Sequence, residues 1–196
     1  MKIFDEFVGV LKTPAFENFI ISKKTGINTN ELKKYLFVSI DEARYGLSEI
    51  KKYELLGFKI LETGSGMGIL ASFLAKQGLD VTSIEPGEIG FENNISYPEL
   101  VREFTKTNFN FYPVSIETLS KHVTDKFDFI FSVNVMEHVA DFKKCLSILN
   151  DSLSENGMMI HICPNYFVPY EPHYNFFLLP FIPHKTHYII SKKTKN

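Results

Sequence analysis

The segment Ile60-Leu61-Glu62-Thr63-Gly64-Ser65-Gly66-Met67-Gly68 constrains this chain more than any other. Three glycines stand at alternate positions, directly after the apolar run Phe58-Lys59-Ile60-Leu61 and directly before the helix-like stretch Ile69-Leu70-Ala71-Ser72-Phe73-Leu74. Glycine reaches backbone angles closed to other residues and lets a ligand lie on the main chain without meeting a Cβ. Strand, glycine loop and helix in that order imply an α/β fold with a ligand crevice at the carboxyl end of the strand.

The flanking signals alternate in the same sense. Helix is expected over 68–77, closed by Gly78, then around 99–106 and from Asp141 through 153; strand is expected at 81–84, near 111–114, at 127–133 and at 158–163. Strands separated by helices predict a Rossmann-like, doubly wound, mostly parallel sheet, here a core over 58–165. Upstream, Thr13, Pro14 and Gly26 bracket a first helix, and a second is expected over 41–56 before Gly57, so residues 1–57 read as an N-terminal helical cap. Residues 166–196 form an aromatic and proline-rich C-terminal segment, a candidate substrate lid.

Composition narrows the function classes. With 196 residues there is room for one α/β domain, and a net charge of -2 with mixed signs supplies no broad surface for nucleic acid. Asp5 and Glu6 interrupt the apolar stretch a secretory signal needs, and no run reaches membrane-spanning length, so the expectation is a cytoplasmic protein without a membrane segment. Cys145 and Cys163 lack metal-ligand spacing and read as reduced thiols.

The loop admits two ligand classes. Gly66-Met67-Gly68-Ile69-Leu70-Ala71 satisfies the loose G-x-G-x-x-A form of a dinucleotide fingerprint. A dinucleotide brings a pyrophosphate to the helix N-terminus, where the Glu62 carboxylate repels it. S-adenosylmethionine carries no phosphate and presents an ammonium and a sulfonium, which an acid at that strand end favours. Glu85, closing the next strand Val81-Thr82-Ser83-Ile84, stands where an acid accepts ribose hydroxyls, and it does not separate the two cofactors.

The motifs ILETGSGMG, VTSIEPG, FDFIFSVNVMEHV and NGMMIHICPN, in this order and spacing, resemble class I, seven-strand methyltransferases of the methyltransferase-11/12-like group over residues 58–165. The resemblance implies a cofactor site in which Gly64, Ser65, Gly66 and Gly68 follow the methionine portion, Glu62 holds the amino group, and Glu85 with Pro86 holds the ribose. Ser115 and Ile116 occupy the family's adenine-contacting position, where serine departs from the common Asp, and Asn134 matches the position whose backbone meets the methionine portion. Some relatives bind a divalent metal through an E-H pair with another Glu three residues earlier. Here Glu137-His138 follows Asn134, so no metal is expected, and His138 remains as a candidate catalytic residue.

His161 reads as a hydrogen-bonded sheet histidine. His173, in the loop after the last strand, is a candidate general base, and Tyr166, Tyr170 and Tyr174, with Phe167, Phe176 and Phe177, are candidate walls of an acceptor pocket. The implied activity is S-adenosylmethionine-dependent transfer of a methyl group to a small molecule (EC 2.1.1.-). The alternatives are an NAD(P)-dependent oxidoreductase and a non-catalytic S-adenosylmethionine-binding or interaction domain. Few residues follow the fifth strand, which reads as a shortened C-terminus; the sheet edge so exposed invites a homodimer or covering by the N-terminal helices.

Overall fold

The computed structural model describes residues 1–23, 28–87 and 96–163, together with the backbone of 170–171 and 176–177. Gly26, the expected end of the first helix, lies outside the described residues.

Three helices precede the sheet: α1 (Lys2–Leu11), α2 (Pro14–Ser22) and α3 (Thr29–Ile50). Phe4, Phe7, Val8 and Leu11 repeat at helical spacing and form the buried stripe of α1. Asp5 and Glu6 between these positions obscure the stripe in the sequence, and the helix is an addition to the expected elements. α2 begins as expected, with Thr13 in extended backbone (φ -86°, ψ 153°) and Pro14 at the first helical position. α3 starts well before Asp41, because Asn28 caps it: its side-chain oxygen accepts from the Asn30 amide at 2.9 Å. Leu32, Leu36, Ile40, Ala43, Leu47 and Ile50 then carry one buried stripe to the helix end, short of Leu56.

The core follows as β1 (Lys59–Thr63), α4 (Ile69–Lys76), β2 (Asp80–Ile84), α5 (Tyr97–Thr105), β3 (Asn110–Tyr112), a 3₁₀ turn (Ile116–Lys121), β4 (Phe127–Val133), α6 (Phe142–Ser152) and β5 (Leu153–Ile162). The sheet order is β3-β2-β1-β4-β5, and every pairing in it is parallel. β1 and β2 are buried from their second residue onward, as strands covered on both faces must be. β5 begins earlier than expected, since Leu153 already pairs with Phe127 before a register shift places Met158 opposite Phe129. Gly157 lies in that irregularity, where a Cβ would sit 2.8 Å from the Phe127 carbonyl oxygen.

Two apolar clusters sandwich the sheet. One joins α1, α2, α3, α4 and α5 to Ile60, Val81, Phe129 and Phe131; the other joins the 3₁₀ turn and α6 to Leu61, Ile84, Phe127 and Ile130. The N-terminal helices therefore pack on a face of the sheet and not along its edge as expected; among the described residues β5 ends the strand order, paired with β4. The chain divides into two compact units, Met1–Ile162 and Cys163–Asn196. In the second, β6 (Tyr170–Glu171) pairs antiparallel with β7 (Phe176–Phe177).

This topology positions a site. The chain runs outward from β1 through β2 to β3, then returns to β4 on the other side of β1. The carboxyl ends of β1 and β4 flank a topological switch point, where open α/β sheets bind their ligands.

Candidate functional site

The glycine loop leaves β1 at that switch point. The Gly64 and Ser65 amides both donate to the Ile84 carbonyl, at 2.8 and 3.1 Å, which ties the loop to the tip of β2. Gly64 and Gly68 have φ of +67° and +69°, and a Cβ on either would collide with the protein itself: 2.4 Å from Val135 Cγ2 at Gly64, and 2.9 Å from Pro98 Cα at Gly68. Gly68 thus brings α5 against the loop. Gly66 faces the Tyr35 hydroxyl of α3, 3.2 Å from where its Cβ would stand.

Beside the loop lies a cavity of about 50 Å³, lined by Ser39, Glu42, Glu62, Gly64, Ser65 and Gly66, with Met67, Ile69, Leu70 and Val133 among its apolar walls. Glu62 is only 5 % exposed. Burial pushes its carboxyl up to about 8; the Glu85 charge adds to this, and the Ala71 backbone amide opposes it. Glu62 Oε2, Ser39 Oγ and Ser65 Oγ are buried there without a hydrogen-bond partner among the described residues. Among the described residues, no lysine, arginine or histidine lines the cavity. Its chemistry is that of an acceptor-rich, acidic enclosure, which suits a cation with several N–H donors and disfavours an anion.

The other expected residues surround this cavity. Glu85 is buried at the tip of β2, where it accepts from the Gly66 amide at 2.8 Å and from the Gly87 amide at 3.3 Å. Pro86 follows it. Ser115 precedes the 3₁₀ turn, its hydroxyl 3.5 Å from that of Thr118, and Ile116 is packed into the cluster with Leu61 and Ile84. Asn134 directly follows β4, in the left-handed region (φ 54°); its backbone amide donates to the Ile162 carbonyl at 2.8 Å, and its side-chain amide donates to Glu42 at 3.0 Å.

His138 is mostly exposed, with Nε2 3.9 Å from the buried Glu137 carboxylate. Among the described residues no group of three or more His, Cys, Asp or Glu side chains is arranged to hold a metal ion. His161 Nδ1 lies 2.8 Å from Ser132 Oγ, and burial holds its imidazole below the usual range. His173, Tyr166, Phe167 and Tyr174 lie outside the described residues; Tyr170, Phe176 and Phe177 are described as backbone in β6 and β7.

The sequence reading missed α3 as a wall of the site. Tyr35, Ser39 and Glu42 fall at helical spacing on one side of it and meet the loop and its cavity. The signal was present in the apolar stripe from Leu32 to Ile50 and in the cap at Asn28.

A family model for a methyltransferase domain matches residues 28–194, a span that takes in α3 and the whole sheet. The chain belongs to that methyltransferase family. An uncharacterized protein of Mycobacterium tuberculosis strain H37Rv is 35 % identical to this methyltransferase domain over 133 residues, 68 % of the chain and 45 % of that protein. The ubiquinone biosynthesis O-methyltransferase of Pseudomonas fluorescens is 29 % identical over 91 residues, 46 % of the chain and 38 % of that enzyme. The chain thus spans less than half the length of these curated relatives. An S-adenosylmethionine-dependent methyltransferase from Clostridium acetobutylicum shares the fold, with a TM-score of 0.53 at 17 % identity over 65 % of this chain and 51 % of that one.

Among the described residues, no helix of this methyltransferase domain is long and apolar enough to cross a membrane.

Proposed function

We propose that this domain binds S-adenosylmethionine at the switch point and transfers its methyl group to a small-molecule acceptor in the cytoplasm. The observation that carries the reading is Glu62: a buried carboxyl group with an oxygen that has no partner among the described residues, in a cavity that Glu42 also lines. A positive charge is what relieves such a group. The cofactor's ammonium meets that need, while a dinucleotide's pyrophosphate aggravates it.

In this reading Glu62 and Ser65 receive the amino group, and the loop backbone at Gly64 and Gly66 follows the methionine chain. Gly68 acts at one remove, by admitting Pro98 behind the loop. Glu85 receives the ribose hydroxyls beside Pro86. Its bonds to the Gly66 and Gly87 amides hold this carboxylate against the glycine loop at the tip of β2. Ser115 and Ile116 border the adenine, and Asn134 closes the methionine end.

When bound, the cofactor supplies a methyl group on a positively charged sulfur, already activated toward a lone pair. What remains for the protein is to hold the acceptor in line with the methyl and the departing sulfur and to keep water away. His138 and His173 are the candidates for taking up a proton from the acceptor, and Tyr166, Tyr170 and Tyr174 for walling its pocket. The buried thiol of Cys145 supports the cytoplasmic assignment, and the place of β5 at the end of the strand order among the described residues supports self-association.

Calorimetric titration with S-adenosylmethionine, run beside one with NADH, tests the reading. Saturable binding of the first alone is expected. Folded protein that binds NADH, or binds neither, overturns it.

A further inference from the structure

The cofactor reading assigns no part to α3, yet α3 forms one wall of the cavity. Gly46 sets its distance from the sheet: a Cβ there would lie 2.7 Å from Val133 Cγ2 and 3.0 Å from Leu70 Cδ2. That close approach places Ser39 and Glu42 on the same cavity lining as Glu62 of β1 and Ser65 of the loop. Glu42 is held in place, because it accepts from the Asn134 side-chain amide at 3.0 Å. Asn134 is itself fixed at the end of β4 through its backbone bond to Ile162.

Two carboxyl groups line one small cavity, and a cation placed between them favours the charged form of both. Three buried acceptor atoms without a partner among the described residues, Ser39 Oγ, Glu62 Oε2 and Ser65 Oγ, belong to residues that line this cavity. A primary ammonium has three donors and no acceptor. It matches an enclosure with acceptors on both the loop side and the helix side.

We infer that Glu42 and Ser39 of α3 are direct ligands of the cofactor's amino group, so that this group is clamped between the helix and the glycine loop. The inference rests on the S-adenosylmethionine reading of the site. It makes α3 a determinant of affinity for the amino-acid end of the cofactor, with no role at the nucleoside end.

The test compares S-adenosylhomocysteine with 5′-methylthioadenosine, which keeps the nucleoside and thioether but lacks the amino and carboxyl groups. Glu42→Gln preserves an oxygen to accept from Asn134 and removes the charge. Losing a hydrogen bond to a charged group should weaken S-adenosylhomocysteine about ten- to a hundredfold, with 5′-methylthioadenosine unchanged. Ser39→Ala should shift the same ratio in the same direction by a smaller factor, and it keeps the proposal testable if the first variant folds poorly. Equal weakening of both ligands would show α3 to be a packing wall only, and no change in either would remove Glu42 from the site; each result overturns the inference. Wild-type protein that binds neither ligand defeats the cofactor reading itself, a result distinct from both.

Discussion

Binding of S-adenosylmethionine should expel a proton at neutral pH and take one up in alkali, with the sign changing near pH 8. With its carboxyl pushed up to about 8, free Glu62 is about 90 % protonated at pH 7. Pairing with an ammonium requires the carboxylate, so binding releases about 0.9 proton from this group. A free α-amino group has a pKa of about 7.8 and is about 15 % neutral at pH 7, which returns a little over 0.1 proton. The net release is about 0.8 proton at pH 7, and the same arithmetic gives a net uptake of about 0.85 at pH 9. The fraction of encounters in which both partners carry the required charge falls about twentyfold between pH 8 and pH 6, and affinity falls with it. Calorimetry in buffers of differing ionisation enthalpy counts the protons directly. Glu62→Gln should abolish the release at pH 7 and retain the uptake at pH 9, which belongs to the ligand. Enthalpies independent of buffer at pH 7, with affinity flat from pH 6 to 8, would refute the assignment of Glu62 as a buried acid that ionises to meet a cation.

Three further outcomes follow from the same geometry. Unliganded folded protein keeps the Glu62 proton up to pH about 8, whereas an unperturbed glutamate releases it near 4.5, so stability falls as pH rises through that window, by up to about 1.4 kcal/mol per unit. Glu62→Gln should remove that fall from the profile of Tm against pH, and parallel wild-type and variant profiles would contradict it. Gly78→Ala, at φ +84° with nothing within 4 Å of the added Cβ, should cost about 1–2 kcal/mol in urea denaturation from its left-handed backbone alone. Gly68→Ala adds a collision with the Pro98 backbone and should cost about 1–3 kcal/mol more; equal losses would refute the close approach. Of the two cysteines, Cys163 is exposed and Cys145 buried, so a thiol reagent should label one quickly in native protein and both in denaturant.

The parts of the fold that were legible in sequence are those where one local rule acts alone. Phe127 to Val133 is a strongly apolar run, largely buried, and it forms β4 at its expected bounds. Asp141 had the chemistry of a helix cap and caps α6 by accepting from the Lys144 amide at 3.0 Å. α1 and the first half of α3 carried equally regular stripes, but charged residues between the apolar positions obscured them. The 3₁₀ turn at Ile116–Lys121 has too few residues for a periodic signal and is set by Ile116 and Leu119 entering the core beneath it.

The site divides in the same way. Glu62 and the glycines lie on contiguous sequence, and their order announced a ligand crevice. The part played by Glu42 depends on Gly46 admitting α3 to within contact of Val133 and Leu70, and on Asn134 reaching back across 92 positions of chain. Neither is a local property. Gly68 shows the converse: its place in the motif suggested a ligand contact, and the structure gives it a second reason to be glycine, the backbone of α5.

The most direct measurement is a crystal structure of the protein with S-adenosylhomocysteine. The account predicts the amino nitrogen inside the cavity, within about 3.2 Å of Glu62, and the ribose hydroxyls on Glu85. Ligand density elsewhere on the domain, or an amino group turned away from Glu62 toward solvent, would contradict it.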